Sequence, residues 1–297
     1  MEEEINGINY RLDENNLTAE VIEKTYNRYM GDIMIPDIVV FDELTYRVER
    51  IGDMAFYECY SLTSITIPNS VKSIGRSAFS YCESLTSITI PDSITSIGDD
   101  TFLDCESLTF ITIPDGVTSI GDWAFAGCES LTSITIPKRV TSIGRNVFVR
   151  CSSLTSIVVE EGNTVYDSRK NCNAIIETRS NVLMYGCKTT IIPNSVEKIG
   201  YRAFAGCKSL TTIVVSDGVW LIDRQAFSDC ESLTSITIPD SITIIGFQAF
   251  SDCESLTSIT FQGTVAQWKN IESYCYRNFF TTFPFEVVHC TDGDVEI

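Results

Sequence analysis

Eight copies of Ala-Phe-x-x-Cys or a close variant run down the chain at a spacing of 23 residues, interrupted once. They fall at Phe56/Cys59, Phe79/Cys82, Phe102/Cys105, Phe125/Cys128, Phe148/Cys151, Phe204/Cys207, Phe227/Cys230 and Phe250/Cys253. Ordering one such unit costs about 25 to 45 kcal/mol of conformational entropy. Its eight inward side chains, at about 1.5 to 3 kcal/mol each, return only about half of that. A single unit therefore cannot fold alone, and the pattern demands coils that stack and share a continuous core.

Within the unit Ser61 to Glu83, Leu62, Ile65 and Ile67 end in period-two alternation, the mark of a strand with one buried face. Prolines at 68, 91, 114, 137, 193 and 239 close that strand in successive units, because proline cannot donate to a ladder. Val71 to Ile74 forms a second extended piece, Gly75 turns the chain, and Ser77-Ala78-Phe79 is long enough for one helical or 3-10 turn. The order Cys-x-x-Leu-x-x-Ile-x-Ile-Pro-x-x-Val-x-x-Ile-Gly-x-x-Ala-Phe resembles the BspA-like class of leucine-rich repeats from about Phe41 to Cys290. The resemblance implies a right-handed, mainly β leucine-rich-repeat solenoid with short helical or 3-10 turns and a parallel concave sheet. It also implies a protein-binding or adhesive role, as in bacterial surface proteins that attach to host matrix proteins.

Three segments depart from the period. Cys151 and Cys207 are 56 residues apart, two periods plus 10, and Ala174 to Thr178 with Val182 to Tyr185 flank a polar turn. Residues 160–190 are therefore expected to form a longer repeat with a protruding hairpin. Ile8, Tyr10 and Leu12, a turn at Asp13 to Asn16, and Leu17, Ala19 and Val21 predict a hairpin cap over residues 1–40. Thr264 and Gln267 match a capping box ahead of Val265, Trp268 and Ile271. A short helix plus a strand from Phe285 to Cys290 is the expected cap over 263–297, leaving 41–262 as the repeat array.

Eight of the twelve cysteines share one repeat position, where parallel Cβ vectors disfavour disulfides, so buried reduced thiols are expected. Cys172 and Cys187 lie equidistant from the Arg179-Ser180 turn, opposite each other in a symmetric hairpin. That pair, and Cys275 with Cys290, are either bridged or four further free thiols.

A net charge of −19 argues against nucleic acid and anionic membranes as partners. No stretch approaches the about 20 apolar residues of a membrane span, so no membrane insertion is expected. The acidic start, Met1 to Glu4, is unlike a secretion signal, which favours the cytoplasm, whereas the family resemblance favours the cell surface. His289 is the only histidine, and no phosphate loop, nucleophile elbow or close cysteine pair is present. No catalytic, metal or cofactor site is expected, and no enzyme.

The outward positions of the first strand form two columns: Ser64, Ser87, Phe110, Ser133, Ser156, Thr212, Ser235, Ser258, and Thr66, Thr89, Thr112, Thr135, Val158, Val214, Thr237, Thr260. Stacked hydroxyls suit such a surface, and Phe110 breaks it with an aromatic of the kind interfaces favour. Trp220, Leu221, Ile244 and Phe247 replace residues that are polar in earlier repeats and fall on two adjacent coils, and Trp123 stands in a column otherwise held by Ser77, Asp100 and Asn146. These six are the candidate partner-binding residues; the apolar group of four is either a contact patch or ground covered by the inserted hairpin. Glu83, Glu106, Glu129, Glu231 and Glu254 form an acidic edge, either solubilising or a strip for a basic partner. Two functions fit: a non-enzymatic binding or adhesion module, and a cytoplasmic interaction or inhibitor protein with reduced thiols. A hydrolytic enzyme would have to depend on His289 or on an unidentified carboxylate pair.

Overall fold

The computed structural model describes residues 1–24, 26–277 and 284–297, with side chains omitted for 272–277. Two compact units, Met1–Cys151 and Ser152–Ile297, divide the chain.

In the first unit, coils of 23 residues place equivalent side chains side by side. Strand Leu62–Thr66 pairs in parallel with Ser87–Thr89, which pairs with Phe110–Ile111; Ile65 faces Ile88 and Ile88 faces Ile111. A second parallel sheet joins Ser96–Ile97, Ser119–Ile120 and Ser142–Ile143 in the same 23-residue register. Between the sheets lie the repeated apolar residues, and Phe56, Phe79, Phe102 and Phe125 have no exposed surface. Their rings stack with centroids 5.2 to 5.5 Å apart and planes within 9° of parallel, a spacing that suits offset aromatic pairs. The chain turns at two residues per coil that hold positive φ, for example Ser77 and Tyr81 or Asp100 and Asp104. This corner is made of turns, with no full helix.

Strands Ile8–Asp13 and Thr18–Val21 form an antiparallel hairpin that buries Ile8, Tyr10, Leu12, Ala19 and Val21, while Leu17 sits at the turn with φ +52°. Strand Glu2–Ile5 adds to its outer side. Two elements lie ahead of the first Ala-Phe-x-x-Cys phrase. Gly31–Met34 pairs in parallel with Leu62–Thr66 as the first strand of the first sheet, and Ile38–Phe41 forms a hairpin with Leu44–Ile51, so position 40 lies inside a strand. Tyr29 begins the aromatic stack, 4.7 Å from Phe56.

In the second unit, parallel strands Thr212–Val214, Ser235–Ile238, Ser258–Phe261 and Val287–Cys290 form the first sheet, which antiparallel Gly293–Glu296 closes. Phe204, Phe227 and Phe250 stack at 4.9 and 5.5 Å, and Phe285 ends the stack edge-on at 6.1 Å. Helix Val265–Arg277, 13 residues long, packs here. Its capping box is formed, with Thr264 N–H donating to Gln267 at 2.7 Å and Gln267 N–H to the Thr264 hydroxyl at 3.3 Å. Trp268 and Ile271 are buried, and Val265 packs against the core.

The hairpin expected to protrude from residues 160–190 does not. Tyr166–Asp167, Ala174–Glu177 and Val182–Gly186 pair antiparallel, and Val182–Gly186 continues in parallel into Lys198–Ile199, Leu221–Ile222 and Ile244–Ile245. Ala174, Ile175, Ile176 and Leu183 have no exposed surface. Burial of these four apolar side chains favours a place in the sheet over exposure to water, so the insertion starts the second sheet of this unit. A bulge between Ile175 and Ile176 shifts its register by one residue. Cys187 therefore lies beside Asn173 instead of Cys172: Ala174 faces Gly186, and the Cys187 thiol donates to Asn173 O at 3.4 Å. Cys172 and Cys187 are free thiols. Cys290 is free too, and the side chain of Cys275 lies outside the described residues.

Candidate protein-interaction surface

The cysteine ladder shows what this architecture does with reactive groups. In the first unit four thiols point inward and donate to the phenylalanine carbonyl of the preceding coil: Cys82 to Phe56, Cys105 to Phe79, Cys128 to Phe102 and Cys151 to Phe125, all at 3.2 Å. Burial pushes Cys59 up to about 11 and holds Cys82, Cys105, Cys128 and Cys151 well above the ordinary thiol range. A thiol kept protonated is neither nucleophile nor metal ligand, so the ladder is structural. Among the described residues no cluster of three or more His, Cys, Asp or Glu could hold a metal ion, and no helix is long and apolar enough to cross a membrane. His289 is exposed on the final hairpin, 3.0 Å from Asp294.

The coils present their outer surface one column at a time. In the first unit the inter-coil hydroxyl ladder runs one residue before the Ser64 column: the hydroxyls of Thr86, Thr109 and Thr132 each donate to the threonine carbonyl one coil earlier, at 3.3 to 3.4 Å. Ser64 instead donates to Asp32 at 2.6 Å. Phe110 is 58% exposed in the Ser64 column, opposite Ser87. Trp123 differs from expectation: its column lies at the positive-φ turn, where Ser77, Asp100 and Asn146 also have φ between +52 and +58°. That turn tucks the side chain back, so Trp123 is half-buried and Asn146 buried. The acidic edge of this unit is partly neutralised, since Arg150 bridges Asp104 at 3.3 Å and Glu129 at 3.2 Å. Burial, with Glu129 and Glu83 adding repulsion, raises the Glu106 carboxyl.

In the second unit Trp220, Leu221 and Ile244 fall on adjacent coils, and Phe247 follows Ile244 past the Gly246 turn. Leu221 and Ile244 are register partners on adjacent strands of the second sheet, and Trp220 O accepts from Thr243 N–H at 3.0 Å. Leu221 and Ile244 are half-buried and Phe247 is 39% exposed. The Lys198 ammonium lies 4.9 Å from the Trp220 ring centroid and shields one face of the indole. The inserted hairpin lies beside this patch in the same sheet, with Val182 next to Lys198 and Lys198 next to Leu221, and so does not lie over it.

A third group, on the first-sheet side, was not among the sequence candidates. Counting back two places from the proline position, which Glu160 and Ser216 hold in two coils, the Thr66 column continues as Val158, Ile191 and Val214 before returning to Thr237. These three are 43, 74 and 64% exposed. Val214 and Ile191 border a cavity of about 430 Å³ between residues 190–194 and 212–217. Its signal was present: Cys187 and Pro193 are six residues apart where the other Cys-Pro intervals are nine, which throws Ile191 out of phase. A larger cavity of about 610 Å³ in the first unit is lined by Lys24, Arg28, Tyr29 and Tyr60. Its cations are already paired, Lys24 with Glu4 at 3.2 Å and Arg28 with Glu23 at 3.0 Å.

Six copies of the BspA type leucine-rich repeat model match residues 48–175 and 180–285. The chain belongs to the BspA-type leucine-rich-repeat family. A leucine-rich-repeat protein from Bacteroides ovatus matches at 29% identity over 88% of this chain and 65% of its own, with a TM-score of 0.59. A second leucine-rich-repeat protein, from Eubacterium ventriosum, matches at 24% identity over 86% of this chain and 70% of its own, with a TM-score of 0.63. The pneumococcal vaccine antigen PcpA shares the fold at 20% identity, covering 89% and 82% of the two chains, with a TM-score of 0.61. No curated protein sequence matches the chain. Within this BspA-type frame, the buried ladders build the coils, and the exposed residues that break the Ser/Thr columns distinguish this member.

Proposed function

We propose that this BspA-type array, with its caps over residues 1–40 and 263–297, is a non-enzymatic protein-binding module that acts in adhesion. The observation that carries the reading is the contrast between two kinds of position. Every repeated thiol is buried, while the outer columns replace Ser and Thr with exposed Phe110, Val158, Ile191 and Val214, and half-buried Trp220 and exposed Phe247 flank strands of the second sheet. Exposed aromatic and aliphatic residues on a rigid surface are what protein interfaces use as anchors. The family resemblance adds matrix proteins as the ligand class. Surface plasmon resonance of the full chain over immobilised fibrinogen, fibronectin and laminin tests it. Saturable binding that weakens at least about tenfold in Trp220→Thr or Phe110→Ser supports the module; absence of binding to all three, with the variants indistinguishable, removes adhesion.

A second reading, an intracellular interaction protein, draws support from the eleven described cysteines, all free. Counting thiols on protein isolated under alkylating conditions from its native cell separates the two: a Cys275–Cys290 bridge favours export, and twelve free thiols favour a reducing compartment.

A further inference from the structure

The coil between Cys187 and Gly200 is three residues short ahead of its proline, and the consequence falls on its neighbour. In the coils of Leu62–Thr66, Ser87–Thr89 and Ser235–Ile238 the segment before the proline is a strand paired on both sides; here residues 188–193 form none. Strand Thr212–Val214 consequently has a ladder partner on one side alone, Ser235–Ile238. Val215 N–H donates to Thr237 O, and Thr211 O accepts from Thr234 N–H, both at 2.9 Å. Successive backbone groups of a strand alternate in direction, so the N–H and C=O of Thr212 and Val214 face the opposite edge. Among the described residues nothing pairs with them there. That edge opens into the cavity of about 430 Å³ lined by Thr190–Ile192 on the far side. Its end is closed where the Ser216 hydroxyl donates to Pro193 O at 3.1 Å, and the Thr189 hydroxyl donates to Thr155 O, tying the short coil to the one before it.

The lining has a chemistry of its own. In the other coils that follow a repeated Phe-x-x-Cys the outer position two before the turn is threonine, yet Val158, Ile191 and Val214 hold it in three consecutive coils around the short one, all exposed; at the two ends of the array Met34 and His289 take the place. Exposed β-branched aliphatics beside an unpaired strand edge are an aggregation hazard unless something fills the slot. The final strand of the same sheet shows the ordinary protection, with Asp294 and Glu296 exposed on Gly293–Glu296. Asp217 is the one charged residue on the cavity wall and is exposed without an ion-pair partner, on a chain of net charge −19.

We propose that this cleft binds an extended, basic peptide segment of another protein, added as a strand along Thr212–Val214. The proposal rests on the reading of the array as a protein-binding module and gives it a site and a partner class. Backbone pairing to Thr212 and Val214 supplies affinity, alternate β-branched side chains pack on Ile191 and Val214, and a lysine or arginine beyond the strand meets Asp217. A second copy of this acidic chain is the disfavoured occupant, since it adds like charge.

The test uses the full chain and two blocked synthetic peptides, Lys-Thr-Val-Thr-Ile-Thr-Lys and the same peptide with both lysines replaced by glutamate. Calorimetry is expected to show the basic peptide binding at least about tenfold more tightly than the acidic one, with slowed hydrogen exchange at the amides of Thr212 and Val214. Val214→Pro removes an N–H that has no ladder partner in the free protein, and edge strands tolerate proline. Ile191→Lys changes a side chain that is 74% exposed. Either variant is expected to weaken the basic peptide at least about tenfold while leaving the circular dichroism spectrum unchanged. Equal affinity of the two peptides, undiminished binding to both variants, or exchange protection elsewhere overturns the proposal. Self-association of the chain that Val214→Pro abolishes overturns it too, by making the occupant a second copy. If neither peptide binds while a matrix protein still binds in a Trp220-dependent way, strand addition falls and the module reading stands.

Discussion

Moving the protein from pH 8 to pH 10 should strip most of the stability from its first unit, and the cysteine ladder sets the size of the effect. The unfolded-chain thiol titrates near 9.0, whereas burial raises Cys59 to about 11 and holds Cys82, Cys105, Cys128 and Cys151 well above the ordinary thiol value. A folded pKa above the unfolded one means the folded state holds more protons in between. The stabilisation is fully present below about pH 9 and is lost as pH rises, ending near 11 for Cys59 and continuing beyond that for the others. At pH 10 each thiol has lost about 1.4 kcal/mol, and the five together about 7 kcal/mol, against a typical domain stability of about 5 to 15 kcal/mol. Tyr10, which burial raises to about 12, adds to the loss only above pH 10. Urea unfolding of the reduced protein at pH 8, 9 and 10, followed by Trp123 fluorescence, reads this directly. Replacing Cys82, Cys105 and Cys128 together by alanine lowers stability at pH 8 but should remove about three-fifths of the pH dependence. A midpoint that does not move between pH 8 and 10, or an equal decline in the triple variant, refutes the reasoning.

Phe102 has no exposed surface and stacks at 5.5 Å on both sides; Phe102→Ala should cost about 3 to 5 kcal/mol in urea unfolding. By contrast, exposed Phe110→Ser should stay within about 0.5 kcal/mol. A Cβ at Gly127, where φ is +71°, would lie 1.9 Å from Asp104 Oδ1, so Gly127→Ala should cost about 1 to 3 kcal/mol. Asp104→Ala is expected to return part of that loss in the double variant, measured as a double-mutant cycle. Lys198→Ala uncovers one face of Trp220; the tryptophan emission should shift to the red, with a stability loss of no more than about 1 kcal/mol.

The stack was legible in the residues because its determinants are local and in phase. Phe, Cys, Leu and Ile recur at fixed offsets, each is buried, and the Thr264 and Gln267 cap formed as spelled. What was not legible depends on registers that no single repeat encodes. The bulge at Ile175 and Ile176 moves Cys187 off Cys172, and nothing in an alternating apolar pattern marks where the extra residue goes. Gly31–Met34 joins the first sheet through the Ile-x-Ile-Pro of Ile33 to Pro36, a fragment of the repeat that stands alone without the Cys and Leu that precede it in other coils. Trp123 counts as exposed from its polar column mates, but the sign of φ at that turn decides where the side chain points.

Ile191 was hidden for a related reason, and its case bears on how a repeat protein acquires a site. Coils in an array exchange energy only with their neighbours, so shortening one costs two interfaces and leaves the remaining coils intact. A globular core spreads the same deletion through every layer. One apolar replacement in a Ser/Thr column is ordinary drift, as Phe110 alone would be in the Ser64 column. Val158, Ile191 and Val214 in three consecutive coils, bracketing the one coil that lacks its strand, tie the change in side chains to the change in backbone. The open edge at Val214 also lies on a strand whose other edge is fully paired, so the exposed N–H groups are already ordered for an incoming strand. If that order is the purpose of the short coil, restoring three residues of the form Leu-Thr-Ser between Cys187 and Ile191 should fill the slot, raise thermal stability and abolish binding of the basic peptide together. An insertion that stabilises the chain while leaving peptide affinity intact would separate the two and show that the gap is not the site.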